Sequence, residues 1–234
     1  MVVSTPLPET KRNEDTMNAL NTMLFFADTF VDLCNETPLA KISISDIVER
    51  TGKNRKTFYY HFENKDHLII WIFRHDLGQA LKEAFPEGTL LYEAASENPL
   101  SQFPYYVMQK SGVRSLDHSM FFECFSKTLE GKRRFYTQAL FDNGPGSLRN
   151  YLYDLYLPTL RNDIYLILSN RYLPDENVQF LAEFYTCAFL YYFIRRCCSQ
   201  PHVTNLIGHA GPFANIIHSS LEMEIKEAQL RRNL

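Results

Sequence analysis

Residues 43–65 read SISDIVERTGKNRKTFYYHFENK, and the stretch spells two short helices joined by a tight turn. Ser43 followed three residues later by Asp46 is a capping-box pattern, after which Ile44, Ile47 and Val48 recur at helical spacing. Gly52 ends that helix, because glycine takes the left-handed conformation there without a Cβ penalty. Asn54 is placed to cap the next helix, roughly residues 55–62. The pattern is a helix-turn-helix.

Read at about 100 degrees per residue, the second helix puts Phe58 and Phe62 on one face as core anchors. Lys56 and Tyr60 fall on the opposite side, flanked by Thr57 and Tyr59, with Arg55 in the first turn and His61 at the edge. Arg and Lys pair with guanine O6 and N7, while Thr and Tyr hydroxyls reach phosphates or base edges. Asn64 caps a third helix that opens on Lys65, and a helix N-terminus with a lysine is a natural seat for a backbone phosphate.

The run from Thr57 to Phe62, followed by Asn64-Lys65-Asp66-His67-Leu68, is similar to the signature of the tetracycline-repressor (TetR) family. The resemblance extends over roughly residues 17–73 and takes in the Ile47-Val48 pair and Gly52. Carried across residue by residue, it implies base contacts from Arg55, Lys56 and Tyr60, and phosphate contacts from Ser43, Thr57, Tyr59, His61 and Lys65. Thr51 and Asn54 stand where many members carry Ala and Ser, and Asn caps as well as Ser. The resemblance implies an all-α homodimer on double-stranded DNA, most often a repressor released by an effector in the C-terminal domain. It also implies that the last two long helices of each subunit build a four-helix bundle. Phe180, Phe184, Tyr191, Ile216, Ile217 and Leu221 are the candidate contributors.

Composition agrees with a selective reader. The net charge of -3 argues against a protein that coats nucleic acid, yet residues 50–65 hold five basic side chains against Glu63 alone. The five cysteines lack C-x-x-C spacing, so neither a metal site nor a disulfide framework is expected. No secretion signal or membrane span is apparent, which places the protein in the cytoplasm.

Along the chain, residues 1–12 read as a flexible tail, 13–75 as the DNA-binding domain and 76–234 as a helical sensing and dimerisation domain. Leu20, Leu24, Ala27, Val31 and Cys34 mark one face of a bracing helix. The helix after Lys65 belongs to both domains and can act as a lever. Prolines and glycines make residues 86–112 weakly helical, after which helices are expected over 116–140 with a break near Gly131, 147–173 kinked at Pro158, from Pro174 onward, and 203–230. Most of the abundant aromatics read as core, with Tyr106, Phe122, Phe125 and Tyr156 as candidates to line a cavity for a small-molecule effector.

No paired carboxylates, nucleophile elbow or phosphate-cradling loop is present, and Asp117-His118-Ser119 are helix neighbours that point different ways. The chain therefore does not read as an enzyme, and no cofactor is expected. A second reading is a DNA-bound adaptor controlled by a protein partner, without a small-molecule pocket.

Overall fold

Helix α1 (Glu9–Glu36) opens a computed structural model that describes residues 9–94, 98–112, 114–199, 219–227 and 230. Its buried stripe is Met23, Phe26, Ala27, Phe30 and Cys34, whereas Leu20, Leu24 and Val31 lie half-buried beside it. The three phenylalanine and methionine positions displace the expected stripe because larger apolar groups gain more from leaving water. Pro38 leads into a 3-10 turn at Leu39–Lys41, followed by α2 (Ile44–Thr51), α3 (Arg55–His61) and α4 (Lys65–Ala84).

The chain forms two compact units that divide between Ile69 and Ile70, within α4. Residues just past that point already pack with the second unit: Trp71 meets Phe103 edge-on at 5.8 Å, and Phe73 meets Phe125 at 5.6 Å.

The second unit continues through α5 (Ser119–Gly131), α6 (Arg133–Phe141), α7 (Leu148–Leu168), α8 (Asp175–Ser199) and a helical segment at 219–227. The stretch that read as weakly helical supplies 3-10 turns and two antiparallel ladders instead. Leu90–Leu91 (β1) pairs with Tyr106–Val107 (β2), and Lys110–Gly112 (β3) with Ser115–Leu116 (β4). Gly78 lets this strap approach α4, since a Cβ there would stand 3.0 Å from the Cβ of Phe103. α7 stops at Leu168, short of the expected Leu173, where Ser169 takes a φ of 56°.

Two apolar clusters fill this unit. Phe121, Phe122, Phe125, Tyr156 and Phe189 form an aromatic one, with centroids 5.1 Å apart for Phe125 and Phe189. An aliphatic one joins Ile164, Ile167, Leu168, Val178 and Leu181 to Leu221 and Ile225. Leu221 is expected at a subunit interface; it is fully buried in its own chain's core, because it packs in the aliphatic cluster with Ile164, Val178 and Leu181, and Arg171 pairs with the adjacent Glu222. Ile216 and Ile217 lie outside the described residues.

Arg74 is fully buried and stays charged by pairing. It donates to Glu93, to the Tyr151 hydroxyl at 2.6 Å and to the carbonyls of Leu100 and Phe103 at 3.1 and 2.6 Å.

Candidate nucleic-acid interface

Local chemistry sets the angle between α2 and α3. Ser43 Oγ accepts from the Asp46 amide at 3.3 Å, while the Asp46 carboxylate accepts from the Ser43 amide at 2.8 Å and hydroxyl at 2.9 Å. These hydrogen bonds hold the Asp46 carboxyl below its ordinary range. Gly52 sits at φ 63°, ψ 13°, the left-handed cap that reverses the chain. Asn54 Oδ1 then accepts from the Thr57 amide at 2.8 Å and opens α3.

Phe58 and Phe62 hold α3 in place. Both are buried, and they meet Phe26 of α1 edge-on at 5.4 and 6.4 Å. Arg50 also ties α2 to α1 through Glu36 at 2.9 Å, but both side chains are more than half exposed, so this pair contributes little.

The opposite face of α3 is turned to solvent. Arg55, Lys56, Tyr59 and Tyr60 are all exposed, Tyr60 at 82% of its surface. The Arg55 guanidinium rests on the Ser45 hydroxyl of α2, which restrains its direction. Ser45 was not singled out in the sequence, since ten residues separate it from Arg55 and no short-range pattern links them. His61 is half-buried and desolvation lowers its pKa, so a neutral imidazole is favoured at its edge position.

Three expected phosphate ligands have other partners. The Ser43 hydroxyl belongs to the capping box, and the Thr57 hydroxyl donates to Asn54 Oδ1 at 3.1 Å. The Lys65 ammonium donates to the carbonyls of Leu39 and Ile42, both at 3.0 Å, and so staples the turn before α2 to the start of α4. One of its three donors stays available to a phosphate.

The C-terminal candidates divide differently. Phe180, Phe184 and Tyr191 project from α8 at 64%, 54% and 65% exposure, with the first two rings stacked at 6.3 Å. Tyr106, Phe122, Phe125 and Tyr156 instead fill the core. The Tyr106 hydroxyl donates to Asp163 at 2.6 Å and that of Tyr156 to the Tyr105 carbonyl at 3.0 Å. Two half-open clefts, of about 560 and 520 Å³, are lined by other side chains, the second by Tyr92, Glu93, Tyr105, Tyr151 and Asp154. His118 turns inward to Asp163 at 3.0 Å, whereas Asp117 accepts from Ser119 at the surface. Among the described residues no helix is long and apolar enough to cross a membrane, and no cluster of three or more His, Cys, Asp or Glu could hold a metal ion.

A capped helix pair with a glycine turn, braced by a third helix and presenting lysine, arginine and tyrosine outward, is a helix-turn-helix of the kind that reads DNA. Residues 31–70 match the family described as bacterial regulatory proteins, tetR family, so this segment is similar to the DNA-binding domain of that family. The chain is 34% identical over 96 residues to the HTH-type dhaKLM operon transcriptional activator DhaS of Lactococcus lactis subsp. lactis (strain IL1403). That match covers 38% of this chain and 51% of the relative, so it spans about half the length of that protein. The solved structure of a dihydroxyacetone kinase operon activator DhaS shares the fold, with a TM-score of 0.51 over 87% of this chain and 97% of that one at 16% identity.

Proposed function

We propose that the chain reads a near-palindromic DNA site as a homodimer, with Arg55, Lys56 and Tyr60 on base edges and Tyr59 and His61 beside the phosphates. The observation that carries this is the outward face of α3, where two cations and two phenols stand exposed over a helix pinned by buried phenylalanines. Lys65 acts from the edge of the same surface through its remaining donor, and the Ser43 and Thr57 hydroxyls reach a phosphate by turning their protons from Asp46 and Asn54 to it.

The α8 stripe supports the dimer. Phe180, Phe184, Cys187 and Tyr191 recur at four, three and four residues on one exposed face, a spacing that suits a helix partner. Two-fold symmetry then separates the reading helices by about 34–36 Å, one turn of DNA.

Repression relieved by a bound effector follows from the family resemblance. The Lactococcus relative is an activator, and that supports activation here. A second reading, control by a protein partner, is favoured by the filled aromatic core at Tyr106, Phe122, Phe125 and Tyr156.

The test is fluorescence anisotropy of the full chain with DNA flanking its own gene, at several salt concentrations, against unrelated DNA. Selective, salt-sensitive binding with paired half-sites one turn apart is expected. Equal binding to both DNAs would refute the reading. A promoter fused to that DNA, with and without the regulator, then gives the sign: expression rises for an activator and falls for a repressor.

A further inference from the structure

Two adjacent thiols near the C-terminal end of α8 form a cluster that DNA reading does not use. Cys197 is buried, Cys198 is half-buried, and both thiols lie against Thr137 of α6. Helix α6 grips both. The Thr137 hydroxyl donates to the Cys197 carbonyl at 3.2 Å and lies 3.6 Å from its Sγ, and Cys198 Sγ donates to the Thr137 carbonyl at 3.5 Å. Arg133, one turn before Thr137 on α6, donates to the carbonyl of Arg196 at 3.1 Å and helps to fix the last turn of α8.

The electrostatics favour one thiolate. The adjacent Cys198 thiol brings the Cys197 thiol down to about 7 against the opposing effect of burial, and Thr137 and Arg133 add to the lowering while Glu130 opposes it. Cys198 is pushed up by the neighbouring Cys197 sulfur and by burial, with Arg149 and Arg133 pulling the other way. The pair thus offers one nucleophilic sulfur at neutral pH with a protonated one beside it.

We propose that Cys197 and Cys198 form a bidentate dithiol site for a trivalent arsenical. Two soft sulfurs from adjacent residues suit a soft centre that takes two thiolates and needs no third protein ligand. The thiolate attacks arsenic of an R–As=O group, and the second thiol closes the ring. Two As–S bonds form, the As=O bond is lost, and the oxygen leaves as water with the Cys198 thiol proton and one proton from solvent. No atom changes oxidation state. Half-buried Cys198 gives the reagent its way in.

Intact-mass spectrometry of the reduced, full-length protein with phenylarsine oxide tests this. One phenylarsenic adduct per chain is expected, surviving excess 2-mercaptoethanol and removed by dithiothreitol. It should disappear in Cys197→Ser and in Cys198→Ser and persist in Cys34→Ser, Cys124→Ser and Cys187→Ser, with circular dichroism confirming that each variant is folded. If Cys197→Ser fails to fold, the half-buried Cys198→Ser decides. An absent adduct, one that monothiol strips, or one that survives Cys198→Ser overturns the proposal.

Discussion

Helices α3 and α8 are both rich in aromatic side chains, and they use them in opposite ways. In α3 the phenylalanines Phe58 and Phe62 turn inward while the phenols Tyr59 and Tyr60 face water beside Arg55 and Lys56. In α8 it is Phe180 and Phe184 that face water, with Tyr191, while Tyr185, Phe189 and Phe193 turn inward. A hydroxyl-bearing ring among cations suits a polar, anionic partner. Stacked bare phenyl rings suit an apolar one. Under the proposed function the same residue class serves a nucleic-acid surface on one helix and a protein surface on the other, and side-chain chemistry, not aromatic content, separates them.

The largest expected effect breaks the α8 half of that contrast. Phe180→Asp with Phe184→Asp should leave a monomer in sedimentation velocity and weaken binding to a two-half-site DNA by about 10²–10⁴-fold through lost avidity. Unchanged mass would show that the stripe is not the dimer surface. Next, Phe58→Ala in α3 should lower stability of the N-terminal unit by about 3–5 kcal/mol in urea unfolding, because Phe26 and Phe62 lose their partner.

Surface changes on α3 should be milder and more selective. Lys56→Ala or Tyr60→Ala is expected to cost about 1–3 kcal/mol of specific affinity and little non-specific affinity, read by anisotropy on specific and random DNA. Lys65→Met separates a fold role from a phosphate role. Losing both carbonyl contacts should lower the urea midpoint by the equivalent of about 1–3 kcal/mol, and a change confined to the salt slope would restore the simpler electrostatic account.

The smallest effect lies in the capping box. Asp46 is depressed by its bonds to Ser43, so its ionised form stabilises the fold above the unfolded value of about 3.9, and that contribution is lost as pH falls through the lower folded value. Asp46→Asn should flatten the acid limb of unfolding monitored by circular dichroism. An unaltered limb would mean that the box is already open in solution.

Much of this was legible because it is local. The capping box, the Gly52 reversal, the Asn54 cap and the paired phenylalanines of α3 all act within four residues, whereas Phe180, Phe184 and Tyr191 of α8 stand out in the sequence only through the family resemblance. What could not be read depends on contacts between distant residues. Arg74 looks like an ordinary helix cation until Glu93, Leu100, Phe103 and Tyr151 converge on it. Lys65 looked like a free ammonium because Leu39 and Ile42, which occupy it, precede it by more than twenty residues. Leu221 and the four candidate cavity aromatics carry only the statement that they are apolar, and only packing decides which surface an apolar side chain meets.

Trp71 gives the protein an optical reporter of its own. It is the chain's single tryptophan, buried in the second unit and stacked on His75 at 5.1 Å with the rings 14° apart. Selective excitation of indole therefore illuminates one unit and leaves the other, whose aromatics are phenylalanines, tyrosines and histidines, dark. Paired with far-ultraviolet ellipticity, which sees both, that emission lets the two halves of the molecule be watched separately in one cuvette without attaching a dye.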